Sequence, residues 1–125
     1  YKTNLLSTYS SNTILETLKF LGIKKNIKYS STNFQNIENL NGEERIINIC
    51  KKTNTNIYVN PAGGKKLYSK NNFLKEGIKL NFLESKYPVF KQFENEFIPM
   101  LSIIDVLMFN DKEVVIGYLN DYQLD

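Results

Sequence analysis

Asn56-Ile57-Tyr58-Val59, the run Asn60-Pro61-Ala62-Gly63-Gly64, residues 71–76, and Gly77-Ile78-Lys79-Leu80-Asn81-Phe82 together decide the fold. Ile57, Tyr58 and Val59 are β-branched or aromatic, so residues 56–59 read as a strand. Asn60 to Gly64 break it. A short helix near Asn71 to Glu76 ends at Gly77. Ile78, Leu80 and Phe82 then alternate with Lys79 and Asn81, the period of two that marks a strand.

Working outward, Ile14, Leu15, Leu18 and Leu21 have helical spacing. Thr13 and Glu16 read as the capping box of that helix, and Gly22 as its left-handed stop. Asn26 to Ser30 reads as a short strand and residues 31–42 as a polar loop. Asn41 and Glu44 cap a second helix through Ile46, Ile47, Ile49 and Cys50. Residues 84–97 are irregular, aromatic and charged. Pro99 opens a helix to Phe109 that is apolar nearly all round and so is expected to be buried. Asn110 and Glu113 cap a last helix, with Val114, Val115, Tyr118, Leu119 and Tyr122 on one face. Helices alternating with strands predict an α/β fold, a small three-layer arrangement around a mostly parallel sheet of about three strands with flanking helices. With no repeat and no linker, residues 1–125 are expected to form a single α/β domain.

Composition narrows the function. Eight Tyr and eight Phe, with 42% hydrophobic residues, supply a core and exclude wholesale disorder. No apolar run approaches the roughly 20 residues of a membrane span, and no signal peptide opens the chain, so no membrane partner is expected. A net charge of +3 from scattered residues is too small for a nucleic-acid footprint. The chain contains no His and a single Cys. That removes a Ser-His-Asp or Cys-His nucleophile, histidine-ligated zinc and a four-cysteine metal site. Any general base is a carboxylate, Tyr, Lys or the Cys50 thiol. No metal site is predicted, and the cofactor stays unknown. An unpaired Cys suits a reducing compartment, so the expected location is cytoplasmic. Tyr1 in place of an initiator Met leads us to expect part of a longer chain.

The candidate site residues stand mostly at predicted strand ends, where ligands sit in open α/β sheets. Asn60, Gly63, Gly64 and Lys65 could offer backbone N–H groups and positive charge to a phosphate or carboxylate; equally, the glycines could serve a tight turn. Ser30 and Ser31 are ligand-side or cap residues. Ser102 and Asp105, spaced i, i+3, share a helix face. On a buried helix the carboxylate would need pairing, as a base or orienter or as a structural cap. Tyr87, Phe90, Gln92 and Phe93 form an aromatic, polar patch that suits a sugar or a base, or simply covers the sheet.

Three stretches carry a family resemblance: Ile57 to Tyr68, Tyr87-Pro88-Val89-Phe90-Lys91-Gln92-Phe93, and Phe97-Ile98-Pro99 through Ser102 and Asp105 to Asn110. With Tyr1 to Leu6, Leu21-Gly22-Ile23, Ser30-Ser31 and Ile49-Cys50-Lys51, they make the chain resemble the WbqC-like proteins of bacterial surface-polysaccharide (O-antigen) gene clusters. The resemblance implies an α/β protein acting in the cytoplasm on activated sugars, by acyl or aminoacyl transfer to a nucleotide-linked amino sugar. On the reading of the chain as an enzyme or half of one, Asp105 would serve as base or orienter. Gly63, Gly64 and Lys65 would hold an anion, Tyr68 and Tyr87 would flank the sugar, and Ser102 and Gln92 would donate hydrogen bonds. A non-catalytic sugar- or partner-binding module of the same pathway is the alternative. Members usually carry an N-terminal half with Gln-Pro and Phe-Pro motifs, so this chain is expected to be the C-terminal portion. An apolar patch left uncovered there would promote homo-oligomers. Phe90 replaces a Tyr common in the family.

Overall fold

Two parallel strands form the centre, β1 (Ile57–Pro61) and β2 (Lys79–Ser85), with Tyr58 opposite Leu80 and Asn60 opposite Phe82. This is a computed structural model that describes residues 5–94 and 96–125. Before the sheet come α1 (Leu6–Leu21), the single turn α2 (Ser30–Asn33) and α3 (Gly42–Lys52). A 3-10 turn at Ala62–Lys66 and α4 (Lys70–Lys75) carry the chain from β1 to β2. After them come α5 (Ile103–Phe109), α6 (Lys112–Tyr118) and β3 (Tyr122–Leu124).

The core lies on the face of the sheet to which Tyr58, Leu80 and Phe82 point. Phe73 of α4, fully buried, stacks on Tyr58 at 5.6 Å between ring centres and meets Tyr68 edge-on at 6.2 Å. Cys50, Ile46 and Ile47 of α3 close the cluster. Burial raises both the Cys50 thiol and the Tyr58 phenol above their ordinary pKa values. Gly77, at φ 72°, makes the left-handed turn from α4 into β2, a conformation that costs a residue with a Cβ. Asn41 caps α3 by accepting from the Glu44 N–H at 2.9 Å, as expected. Glu43 in turn accepts from the Ser69 N–H and the Asn72 amide, tying α3 to the start of α4.

The sheet is mixed, not mostly parallel. β3 runs antiparallel to β2, pairing Leu124 with Leu83 and Tyr122 with Ser85. The last helix was expected to reach Tyr122, but it ends at Tyr118, where Asn120 and Asp121 form a turn back onto Gly117 and Tyr118. Tyr122 and Leu124 then alternate with Gln123, and the open edge of β2 supplies a ladder partner. The opposite face is covered unevenly. A groove lined by Leu83, Val106, Val115 and Tyr122 sets α5 and α6 toward β3, while Ile57 and Val59 of β1 stay exposed.

Four other expectations are corrected. Residues 26–29 are not a strand: the Tyr29 N–H donates to the Asn33 side chain, which turns the chain into α2. α1 begins at Leu6, and Thr13 lies inside it with its hydroxyl donating to the Ser10 carbonyl. α5 begins at Ile103 and none of its residues is buried; Met108 is 77% exposed. Asn110 ends α5, its amide donating to the Val106 carbonyl, and Asp111 holds the position before α6. No helix among the described residues is long and apolar enough to cross a membrane.

Candidate active site

The predicted site residues separate into three places. Asn60, Gly63, Gly64, Lys65 and Tyr68 stay together where β1 runs into the 3-10 turn. Neither glycine has a left-handed backbone. Gly64 sits in a tight space: a Cβ there would lie 1.9 Å from the Asn60 Nδ2, so that side chain would have to shift, and 3.1 Å from the Tyr68 ring. Gly63 has open space around it. The Tyr58 hydroxyl donates to the Asn60 Oδ1 at 2.9 Å, and the Asn60 amide donates to the Pro61 carbonyl. Lys65 is held by two carboxylates, Glu84 Oε1 at 2.6 Å and Asp125 Oδ2 at 2.5 Å, and Lys70 reaches the other oxygen of Asp125 at 2.9 Å. Hydrogen bonds from Lys65 and then Lys70 lower the Asp125 carboxyl to about 2, and Asp125 and Glu84 raise the pKa of Lys65. An anion at Lys65 would therefore compete with two carboxylates.

Ser30 and Ser31 open α2 and line a shallow groove with Ile37, Glu38 and Arg45. The Arg45 guanidinium donates to the carbonyls of Ile37, Glu38 and Leu40, so it fastens this loop.

Tyr87, Ser102 and Asp105 line one cleft of about 290 Å3. Phe90, Phe97, Met100 and Leu101 are among its apolar walls, and none of residues 60–68 lines it. Gln92, buried beside it, fixes the carboxylate. Its Nε2 donates to Asp105 Oδ2 at 2.7 Å and to the Ile98 carbonyl at 3.2 Å, while its Oε1 accepts from the Ile98 N–H at 2.7 Å. Asp105 is thus only half-buried, and one oxygen is oriented by a planar amide. The Ser102 hydroxyl caps α5 by accepting from the Ile104 N–H at 3.2 Å, which leaves its own proton to donate. Two bulky residues near the cleft have left-handed backbones, Phe93 at φ 52° and Met100 at φ 59°. Such conformations are costly and cluster where function over-determines them. Phe93 is held edge-on against Phe109 at 4.6 Å. Phe90, the departure from the usual Tyr, packs between Phe97 and Phe109.

The residues that sequence reasoning missed are Glu84 and Asp125, which hold Lys65. The alternation Tyr122-Gln123-Leu124 was the available signal for the strand that delivers Asp125. Among the described residues, no cluster of Cys, Asp and Glu could hold a metal ion.

The fold and cleft define a small mixed α/β domain with an aromatic pocket around one carboxylate. Comparison at the family level matches residues 1–116 to the WbqC-like protein family, and the chain belongs to that family. No curated protein and no solved structure matches it.

Proposed function

We propose that this chain acts in surface-polysaccharide (O-antigen) biosynthesis, in the cytoplasm, as a group-transfer enzyme on an activated amino sugar. One observation carries the reading: Asp105 is oriented by the buried Gln92 at the edge of a cleft walled by Tyr87, Phe90 and Phe97. Aromatic rings suit the faces of a sugar or the chain of an acyl group, and a lone carboxylate suits an amine. Asp105 would position the sugar amine and accept its proton as nitrogen attacks the carbonyl of an activated acyl or aminoacyl donor. The N–C bond forms as the donor's leaving group departs with its electron pair. Ser102 would donate a hydrogen bond. Among the described residues no Lys or Arg lines the cleft, so the phosphates of a nucleotide-linked sugar would lie outside it, toward solvent.

A non-catalytic binding module is the second reading, favoured by the way Asp105 and Gln92 also hold residues 92–98 in place. The test pairs binding with turnover. Thermal shift with a uridine-diphosphate-linked amino sugar should raise the midpoint of the wild type. Asp105→Asn should keep the fold by circular dichroism and lose transfer by a hundredfold or more, in the range of acid–base contributions. Unfolding of Asp105→Asn, or unchanged transfer, would overturn the catalytic role.

A further inference from the structure

Taking the cleft around Asp105 as the place where substrate binds, as the proposed function does, we propose that it is a cation site selective for hydroxyl-poor amines. It admits a small protonated amine, with the ammonium on the Asp105 carboxylate and the carbon skeleton against Tyr87, Phe90 and Phe97.

Charge is the first ground. Glu76, Glu84, Asp121 and Asp125 each meet a Lys ammonium at ion-pair distance. Among the described residues Asp105 meets none. Its partner is the Gln92 amide, 2.7 Å from Oδ2. That amide cannot turn over, because its Oε1 accepts from the Ile98 N–H and so leaves Nε2 facing the carboxylate. An amide orients the carboxylate without adding a counter-charge. No Lys or Arg among the described residues lines the cleft to supply one. A half-buried carboxylate is costly in an apolar wall until a cation reaches it, and an anionic ligand would add to the cost.

Polarity is the second ground. Tyr87, Ser102 and Asp105 are the polar side chains among the described lining residues. Every hydroxyl of a fully hydroxylated sugar needs a partner once it leaves water, and walls such as Phe97, Met100 and Leu101 offer none. A body that lacks those hydroxyls needs only its ammonium satisfied, by the carboxylate and by aromatic faces that attract a cation. At about 290 Å3 the cleft stands at the lower end of ligand pockets, so the group it takes is small. The substrate class is thus a small apolar primary amine, or an amino sugar short of ring hydroxyls, entering as its ammonium ion.

The test is an NMR titration of the full chain at neutral pH with probes of one ring size: cyclohexylammonium, cyclohexanol, cyclohexanecarboxylate and glucosamine. Cyclohexylammonium should bind about tenfold tighter than each of the others and move the amide signals of Tyr87, Ser102 and Asp105. Leu101→Lys, at a cleft position that is 56% exposed, sets an ammonium of the protein's own there and should weaken cyclohexylammonium by about tenfold with the fold intact. Asp105→Asn should abolish the preference for cyclohexylammonium over cyclohexanol. Equal binding of cyclohexanol or of the carboxylate overturns the cation site. Equal binding of glucosamine overturns the selection against hydroxyls, and shifts confined to exposed carboxylates such as Glu38 overturn both. If the ammonium is not preferred while Asp105→Asn still loses transfer, the cation site falls and the proposed transfer stands. If the preference holds while Asp105→Asn transfers normally, the cation site stands and the catalytic role falls.

Discussion

Replacing Gly64 by Ala tests whether the Gly-Gly pair is there for backbone freedom or for space. The added Cβ would sit 1.9 Å from the Asn60 Nδ2, so that amide must retreat by about 1.5 Å to reach ordinary contact. Retreat breaks the hydrogen bonds to the Pro61 carbonyl and from the Tyr58 hydroxyl, each worth about 1 kcal/mol net. Tyr68 cannot yield freely, because its ring packs on Tyr58 and Phe73; overpacking of this kind adds about 1 kcal/mol. The unfolded chain loses entropy on Gly→Ala, which offsets roughly 0.5 kcal/mol. The expected net loss is about 2.5 kcal/mol, or a fall in Tm of roughly 10 °C for a domain of this size. Gly63→Ala, with open space and an ordinary backbone, should be neutral or stabilising by up to about 1 kcal/mol. Urea unfolding of both variants gives the difference. Asn60→Ala combined with Gly64→Ala should recover part of the loss, a coupling of about 1 kcal/mol or more. If Gly64→Ala lies within about 0.5 kcal/mol of Gly63→Ala, the steric argument is wrong.

Two further outcomes follow from the charge and burial patterns. Asp125 has a folded pKa of about 2, below its ordinary 3.8, so its contribution to stability is present above that ordinary value and is lost as pH falls toward 2. Lys65→Met should move the Asp125 midpoint, read by carboxyl NMR, back toward 3.8 and flatten the acid dependence of stability in that window; an unmoved midpoint would mean the ion cluster does not form in solution. Cys50 is buried and its thiol is raised by that burial, so its reaction with a disulfide reagent at neutral pH should track global unfolding in urea, and fast stoichiometric labelling of the native protein would show that the core is open.

The strand-helix-strand centre was legible because its signals are local. Alternation in Ile78-Lys79-Leu80-Asn81-Phe82, the stop at Gly77 and the cap at Asn41 each act within a few residues, and all three stand in the structure. β3 was not legible as a strand, since three residues of alternation after Asn120-Asp121 acquire meaning only from the free edge of β2. The early start of α1 was hidden by Ser7, Thr8, Ser10, Ser11 and Asn12, polar residues that argue against a helix one by one. The apolar α5 failed differently. A run of Ile103, Ile104, Val106, Leu107 and Met108 predicts burial, yet Ile104 and Met108 face outward. Apolar content shows that a surface needs covering, and it does not name what covers it.

The candidate site divides along the same line. Ser102, Asp105, Tyr87 and Gln92 were selected as polar residues within or just before an apolar stretch, and they come together because Gln92 bridges residues 92–98 to α5. Lys65 and the glycines were selected as a loop beyond a strand end, by analogy with anion-binding turns. There the long-range pairing of β3 intervenes, carrying Asp125 to Lys65 beside Glu84 of β2 and converting an apparent anion cradle into a cation already neutralised. Gly64 then serves the packing of Asn60 and Tyr68, which positions Tyr58 over Phe73. A phosphate at Lys65 would have to compete with Asp125 and Glu84. The turn at residues 60–66 thus acts as a bracket for the sheet, while Asp105 stands in the wall of an aromatic cleft, its carboxylate held by Gln92.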